Sequence, residues 1–323
     1  MPDLPDFKKA SRLRLALICG GRSSEREVSL AGAGEIRKAL DPARYEVITY
    51  DPAIDLERLV KDAGKLDAAF ILLHGKFGED GTIQGLLDLL GLPYQGSGVL
   101  GSALAMDKHL SKTIYCQAGI PTPPWVLIEK GKKMSAKEIV SGLGLPVMVK
   151  PASQGSSVGM SKVVDVSGME GAVNEALRWD ERVVIEVFMA GREITCGVLG
   201  LDDLAPLPIV EICPGEGHGF FDYQAKYKKG ASREICPAVL PAEVTKKAQG
   251  LALLAHKSLQ LSGYSRTDMI ISDDGCIYVL ETNTVPGMTS TSLFPQEAMA
   301  AGIPFGRLLD RLMEMALIAH PRA

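Results

Sequence analysis

The first apolar run of the chain, residues 13–19, is broken only by Arg14. That pattern belongs to a parallel strand buried on both faces. Residues Tyr45–Tyr50 and 68–73 predict two further strands, with a short helix between them. Gly20-Gly-Arg-Ser-Ser24 follows the first strand. Ser24 and Glu27 stand in capping-box spacing and predict a helix to about Leu40. A strand–helix–strand–helix–strand order predicts a parallel sheet with helices on both faces. Further along, the pattern predicts helices over 82–90, from 106–108 to near Gly119, after the Ser135/Glu138 capping box, over 241–262 and over Phe305–Ala319. Strands are predicted over 125–128, 146–150, from about Met160, over 183–189 and over 192–199.

Asp274-Gly275 predicts a hairpin with a two-residue loop, both of whose residues need positive φ. Met269, Ile270 and Ile271 flank it on one side, Ile277, Tyr278, Val279 and Leu280 on the other. Counting outward from Asp273 opposite Cys276 puts Asp268 opposite Glu281 and Arg266 opposite Asn283. Two carboxylates directly across an antiparallel pair share a face and repel, so a positive group is expected between them. Asp, Glu and Asn offer hard oxygen ligands, which suit Mg²⁺ or Mn²⁺. Mg²⁺ commonly completes its shell with substrate phosphates. The same residues also suit an ordinary hairpin with solvated acids at its open end.

A second stretch, Val147-Met-Val-Lys150-Pro-Ala-Ser-Gln-Gly155-Ser156-Ser-Val-Gly159, ends a strand in Lys and continues as a Gly/Ser loop. Backbone N–H groups and hydroxyls of such a loop can cradle phosphate oxygens beside a lysine. It is not the Walker A pattern, because the Lys precedes the glycines and no helix follows. A flexible hairpin would read the same. The strand edge at Glu186, Val187 and Met189 could take a nucleotide base. Glu25 follows the first strand, where open α/β sheets bind ligands, although it also suits a helix-dipole partner. His74 opens a glycine-rich loop at the end of the third strand. Residues 215–230, rich in Gly, Lys and aromatics, suit a lid over a site.

The bulk numbers remove several classes. The chain has 323 residues, enough for two or three domains. Apolar content is 46%, charged content 23% and net charge −4, which points away from nucleic acid and anionic membranes. The six cysteines have no CxxC spacing, against zinc and a disulfide framework and for a reducing cytoplasm. Neither a signal peptide nor a membrane span is apparent, and there is no repeat.

Together the motifs resemble the D-alanine–D-alanine ligase family of the ATP-grasp superfamily. They are Gly-Gly-Arg-Ser-Ser-Glu25-Arg-Glu-Val-Ser-Leu, His74-Gly-x-x-Gly-Glu-Asp-Gly, Ser-Ala-x-x-Met-Asp-Lys108, Gly-Ser156-Ser-Val-Gly-Met, Tyr-x-Ala-Lys226-Tyr227 and Asn283-Thr-x-Pro-Gly287-Met-Thr-Ser-x-Ser292, in family order from residue 20 to 293. Val285, Phe221 and Gln224 depart from the usual Ser, Tyr and Glu, and the chain before Leu13 lies outside the resemblance. The resemblance implies an α/β, three-domain ATP-grasp fold: a tail to residue 12, a Rossmann-like domain over 13–104, and ATP-grasp subdomains over 105–187 and 188–323. It implies ATP-dependent joining of two D-alanines through an acyl phosphate, a cytoplasmic homodimer, and two Mg²⁺ or Mn²⁺ ions. Lys108 and Lys150 would hold phosphates, Glu186, Val187, Met189 and Glu193 the nucleoside, and Asp268, Glu281 and Asn283 the metal. Glu25, with Ser156 and Tyr227, would hold the first substrate's ammonium, and His74 would help to place that substrate. Arg266 and the Gly287 N–H would form an oxyanion hole. Ser292, with Lys226 nearby, would bind the second carboxylate. A depsipeptide ligase using D-lactate or D-serine, and a non-catalytic ATP-binding module, are the alternatives. Tyr227 favours the dipeptide, and the presence of Glu25, Ser156 and Arg266 favours chemistry.

Overall fold

The computed structural model describes residues 12–132, 135–156, 158–215 and 232–320. Most of the expected tail and lid, including Lys226 and Tyr227, lies outside the described residues.

Strands β1 (Leu13–Ile18), β2 (Tyr45–Tyr50) and β3 (Ala68–Ile71) form a parallel sheet in the order β2-β1-β3. Helices α1 (Arg26–Ala39), α2 (Leu56–Asp62) and α3 (Thr82–Leu89) accompany it. Leu15 and Leu17 enter one core with Ile36 of α1, while Ala16 and Ile18 enter another with Leu59 of α2 and Leu87 of α3. Burial on both faces accounts for an apolar run without alternation. The Ser24/Glu27 capping box does not form. The N-cap of α1 is Glu25, without a side-chain cap bond. The Glu25 N–H instead donates to Ser23 Oγ at 3.2 Å, so the chain turns one residue later.

Helix α4 (Val99–Met106), which the pattern did not predict, fills the interval before α5 (Lys108–Gln117). Asp107 breaks the two apart with extended backbone, and its carboxylate caps the N–H groups of His109 and Leu110. Such a cap typically contributes about 1 kcal/mol. A second sheet, wholly antiparallel, runs β4 (Trp125–Glu129), β7 (Arg182–Val187), β5 (Val147–Pro151), β6 (Ser161–Val163). Helices α6 (Ala136–Leu143) and α7 (Met169–Ala176) cover it. Ser135 caps α6 as its spacing predicts.

The third sheet has the order β11 (Ser232–Ile235), β10 (Val210–Pro214), β8 (Arg192–Gly200), β12 (Gly263–Ile271), β13 (Ile277–Asn283), with β9 (Ala205–Pro206) paired to β8. Helix α8 (Ala242–Ser258) packs Ala248, Ala252 and Ala255 onto one face. It ends earlier than the 241–262 expectation. Gln260, not a glycine, takes the left-handed conformation after it (φ 55°), and Gly263 already belongs to β12. Helices α9 (Leu293–Ala300) and α10 (Phe305–Ala319) close the chain. Leu308 and Leu312 of α10 pack in the core that holds Leu15 and Phe70 of the first sheet, so the C-terminus fastens the two halves together.

The hairpin differs in detail from the two-residue loop. Ser272 N donates to Cys276 O, Gly275 N donates to Ser272 O, and only Gly275 has positive φ. Ile271 therefore faces Ile277, one residue off the expected count. A bulge between Asp268 and Met269 restores the register, and Asp268 still faces Glu281 and Arg266 still faces Asn283. The two offsets cancel where the chemistry lies. A bulge also tightens the local twist, and the extra residue, Leu280, ends up lining the same cleft as Glu281.

Candidate active site

The second and third sheets face each other across a cleft. Lys108, Lys150, Glu186, Val187, Met189, Glu193, Asp268 and Glu281 all line it, between apolar walls that include Met148, Phe188 and Leu280. Glu186 is buried at one end, where its carboxylate meets Lys150 on one oxygen and Lys112 at 2.7 Å on the other. Burial raises this carboxyl, but the charges of Lys150 and Lys112 outweigh it and hold it at about 2. Burial wins at Lys112 and lowers its ammonium. At Lys150 burial also acts downward, but the attraction of Glu186 and Glu281 raises it. Lys112 did not stand out in the sequence. It lies one helical turn beyond Lys108 on α5, so its i, i+4 spacing was the available signal.

Two alternate rungs of the third sheet carry the acids and their partners. Across β8, β12 and β13 one rung is Thr195, Asp268, Glu281 and the next on the same face is Gly197, Arg266, Asn283. Directly paired residues share a face. Arg266 grips Asp268 through Nε and Nη2, each at 3.0 Å, a forked pair of the strong kind. Asn283 Nδ2 and Thr195 Oγ1 donate to the same carboxylate at 3.0 and 2.6 Å. Lys108 Nζ is 3.8 Å from Glu281 and donates to the Gln154 carbonyl at 2.5 Å. The positive groups beside the two carboxylates are thus Arg266 and Lys108. Among the described residues no cluster of three or more His, Cys, Asp or Glu gathers. The donor set is two carboxylates and one amide, chemistry that suits a hard divalent cation sharing its shell with phosphate.

A narrower cavity lined by Lys108, Gly155, Glu281 and Asn283 adjoins the cleft and reaches Glu79. Beside it, the first sheet meets the Gly/Ser loop. Ser156, in a left-handed conformation (φ 49°), donates through Oγ to Glu25 Oε1, although 131 positions separate them. Gly75 and Gly155 close over that carboxylate, and a Cβ at either would come within 2.9 Å of Glu25 Oε2. His74 is buried nearby. Burial lowers its ring, while Glu25 and a bond with the Val285 backbone oppose the shift. Glu79, to which the sequence reading assigned no role, accepts from Gly75 N at 2.6 Å. Burial and the Glu25 charge push its carboxyl up to about 8.

Gly287 and Ser292 come together at the end of the loop that follows β13. A Cβ at Gly287 would stand 3.1 Å from Ser292 Oγ. That hydroxyl also accepts from Thr289 N at 3.1 Å. Ser292 is the N-cap of α9 and leaves its side chain out of the cap. Glu35 of α1 holds the loop through Ser290 N at 2.8 Å.

A parallel-sheet domain followed by two sheets that face each other across a lysine- and acid-lined cleft is the architecture of an ATP-grasp enzyme. Family models described as D-ala D-ala ligase N-terminus and C-terminus match residues 52–97 and 114–314. A D-alanine–D-alanine ligase of Desulfotalea psychrophila is 53% identical over 311 residues, covering 96% of this chain and 97% of the relative. That of Syntrophobacter fumaroxidans is 55% identical over 306 residues, covering 95% and 98%. The crystal structure of the Bacillus anthracis D-alanine–D-alanine ligase complexed with ATP superposes with a TM-score of 0.84 at 38% identity, over 95% of this chain and 98% of that one. The chain belongs to the D-alanine–D-alanine ligase family.

Proposed function

We infer that the protein joins two D-alanine molecules into D-alanyl-D-alanine, converting ATP to ADP and phosphate, as a step of peptidoglycan precursor synthesis. The observation that carries this reading is the Glu25–Ser156 contact. It sets an anionic pocket, suited to an amino-acid ammonium, directly beside a lysine-lined cleft suited to phosphates.

In this reading the nucleoside lies between Met148, Phe188 and Leu280, with the backbone of Val187–Met189 and Glu193 as its polar partners. Both oxygens of Glu186 are held by lysines. Its part is therefore to orient Lys150 until phosphate draws that ammonium away. Lys108 and Lys150 neutralise phosphate oxygens. Asp268, Glu281 and Asn283 would hold two Mg²⁺ or Mn²⁺ ions, which supply charge neutralisation for the transferring phosphoryl group. Glu25 binds the first D-alanine's ammonium, oriented by Ser156, with His74 at its other side. A carboxylate oxygen of that substrate attacks the γ-phosphorus, and the bond to ADP breaks. The amine of the second D-alanine, having lost a proton, attacks the carbonyl carbon of the acyl phosphate. Arg266 and the Gly287 N–H stabilise the oxyanion of the tetrahedral intermediate, and phosphate leaves. Ser292, at the start of α9, binds the second carboxylate, with Lys226. Tyr227 would complete the hydrogen-bonded set that keeps water from the acyl phosphate. We expect the enzyme to act in the cytoplasm as a homodimer.

The test is product analysis by mass spectrometry with ATP, Mg²⁺ and an equimolar mixture of D-alanine, D-lactate and D-serine. D-Alanyl-D-alanine is expected as the main product from pH 6 to 9. A mainly depsipeptide or D-alanyl-D-serine product would overturn the assignment.

A further inference from the structure

Helix α9 carries a second group toward the site besides Ser292. Glu297 lies five residues further on and is fully buried. No side chain hydrogen-bonds either of its carboxylate oxygens, and the Gly197 backbone beside them is too poorly aligned for a full bond. An orphaned buried carboxylate is costly to keep, so its surroundings matter. Its carboxylate rests over Gly197 of β8, and a side chain at Gly197 would collide with Glu297 Oε2. Gly197 pairs directly with Arg266 on β12, and paired residues project on one face, about 5 Å apart. The missing side chain at Gly197 thus makes room for a carboxylate on the Arg266 face, one strand away from the guanidinium. Burial pushes the Glu297 carboxyl well above the usual range, and the Arg266 charge, with a lesser contribution from the Gly197 backbone, opposes this.

Arg266 itself is committed elsewhere, with its fork closed on Asp268. In the proposed reaction Asp268 holds a metal ion, and its lone pairs cannot serve both the ion and two guanidinium bonds at full strength. Arg266 then needs another acceptor. Asn283, its neighbour on β13, is neutral and offers only an amide. On the β8 side stands Glu297.

We propose that Glu297 is a positioning residue for Arg266: it accepts the guanidinium when Asp268 turns to the metal, and so holds Arg266 toward the second substrate. This rests on the functional reading above. It also gives α9 a double role, since the helix that begins at Ser292 would set both the carboxylate site and the oxyanion donor. The residue was not legible in the sequence, because nothing in its spacing ties it to Arg266.

The test reads metal binding, not turnover. Mn²⁺ affinity is measured in the presence of the non-hydrolysable β,γ-imido analogue of ATP. It is compared for wild type, Glu297→Leu, Arg266→Ala and the double variant. With Arg266 present, Glu297→Leu should weaken Mn²⁺ binding about tenfold, the loss expected for one charged hydrogen bond, because Arg266 then stays on Asp268. In the Arg266→Ala background the same change should alter affinity less than about twofold, since nothing competes for Asp268. Equal losses in both backgrounds, or no loss with Arg266 present, would overturn the proposal. The melting temperature of Glu297→Leu should be unchanged or higher, as an apolar group replaces an orphaned carboxylate. Should that variant fail to fold, Glu297→Gln, which keeps the shape, carries the same four-way comparison. If the wild type makes no D-alanyl-D-alanine, the functional reading fails, while the Mn²⁺ cycle still decides on Glu297.

Discussion

Lys112→Met tests the charge cluster at the end of the cleft. The ammonium is almost completely buried, 2.7 Å from Glu186 and 2.8 Å from Thr122 Oγ1. Removing one partner from a buried pair typically costs about 3–5 kcal/mol. Lys150 remains to neutralise Glu186, which lowers that figure, while the lost bond to Thr122 adds about 1 kcal/mol. The net expectation is about 2–4 kcal/mol, or a fall in melting temperature of roughly 5–10 °C. The acid limb of stability should also move. Glu186 is held at about 2, below its ordinary 4.5, so its contribution is complete above 4.5 and is lost as pH falls toward 2. With one cation gone the folded value rises, the contribution shrinks, and acid unfolding begins at higher pH. KM for ATP should rise as well, because Lys150 becomes the only partner of Glu186 and is harder to draw onto phosphate. Thermal unfolding from pH 2.5 to 8, with steady-state kinetics at pH 7.5, reads all three. A melting point within about 1 °C of wild type at neutral pH, together with an unmoved acid limb, would refute the reasoning.

The remaining expectations are shorter. Arg266→Ala should lower turnover by at least ~10²-fold, the typical loss for one oxyanion donor. A change under about threefold would mean that Arg266 serves only Asp268. Asp268→Asn and Glu281→Gln should each abolish Mg²⁺-dependent turnover with circular dichroism unchanged, and near-normal activity in both would remove the metal assignment. Glu79 is pushed up to about 8, so the stability it contributes is complete at acid pH and is lost as pH rises through that value. Glu79→Gln should accordingly flatten the decline of melting temperature between pH 4.5 and about 8, and a parallel decline in both proteins would count against the raised value. Tyr227→Phe should lower dipeptide synthesis modestly and admit D-lactate at acid pH, read from product masses. An unchanged product ratio would remove that role.

Much of the site was legible because its residues sit in short motifs whose local geometry is set by neighbours in the chain. Lys150 ends its strand before the Gly/Ser loop, and Asp268 and Glu281 pair across a hairpin whose turn is written in Asp274-Gly275. Even there the local rule was incomplete. The loop is longer than the two-residue type, and only a bulge at Asp268/Met269 brings the acids back into register. A turn signal reports that the chain reverses. Where the ladder slips depends on packing along the whole strand.

What the sequence determined by itself was therefore the sequential content: the apolar runs of the parallel sheet, the glycine loops, the order of motifs and the types of donor they carry. Tertiary structure decided which of these meet. Glu25 reaches Ser156 across 131 positions because the first sheet packs against the Gly/Ser loop. Lys112 becomes a counter-ion of Glu186 because α5, whose Tyr115 packs in the core of the third sheet, meets the second sheet at the end of the cleft. Glu297 reaches the Arg266 face because Gly197 leaves a gap on a strand a hundred positions away. Each of these contacts joins segments with no local coupling. Only the burial of a shared core, which is non-directional and acts over the whole chain, brings them together.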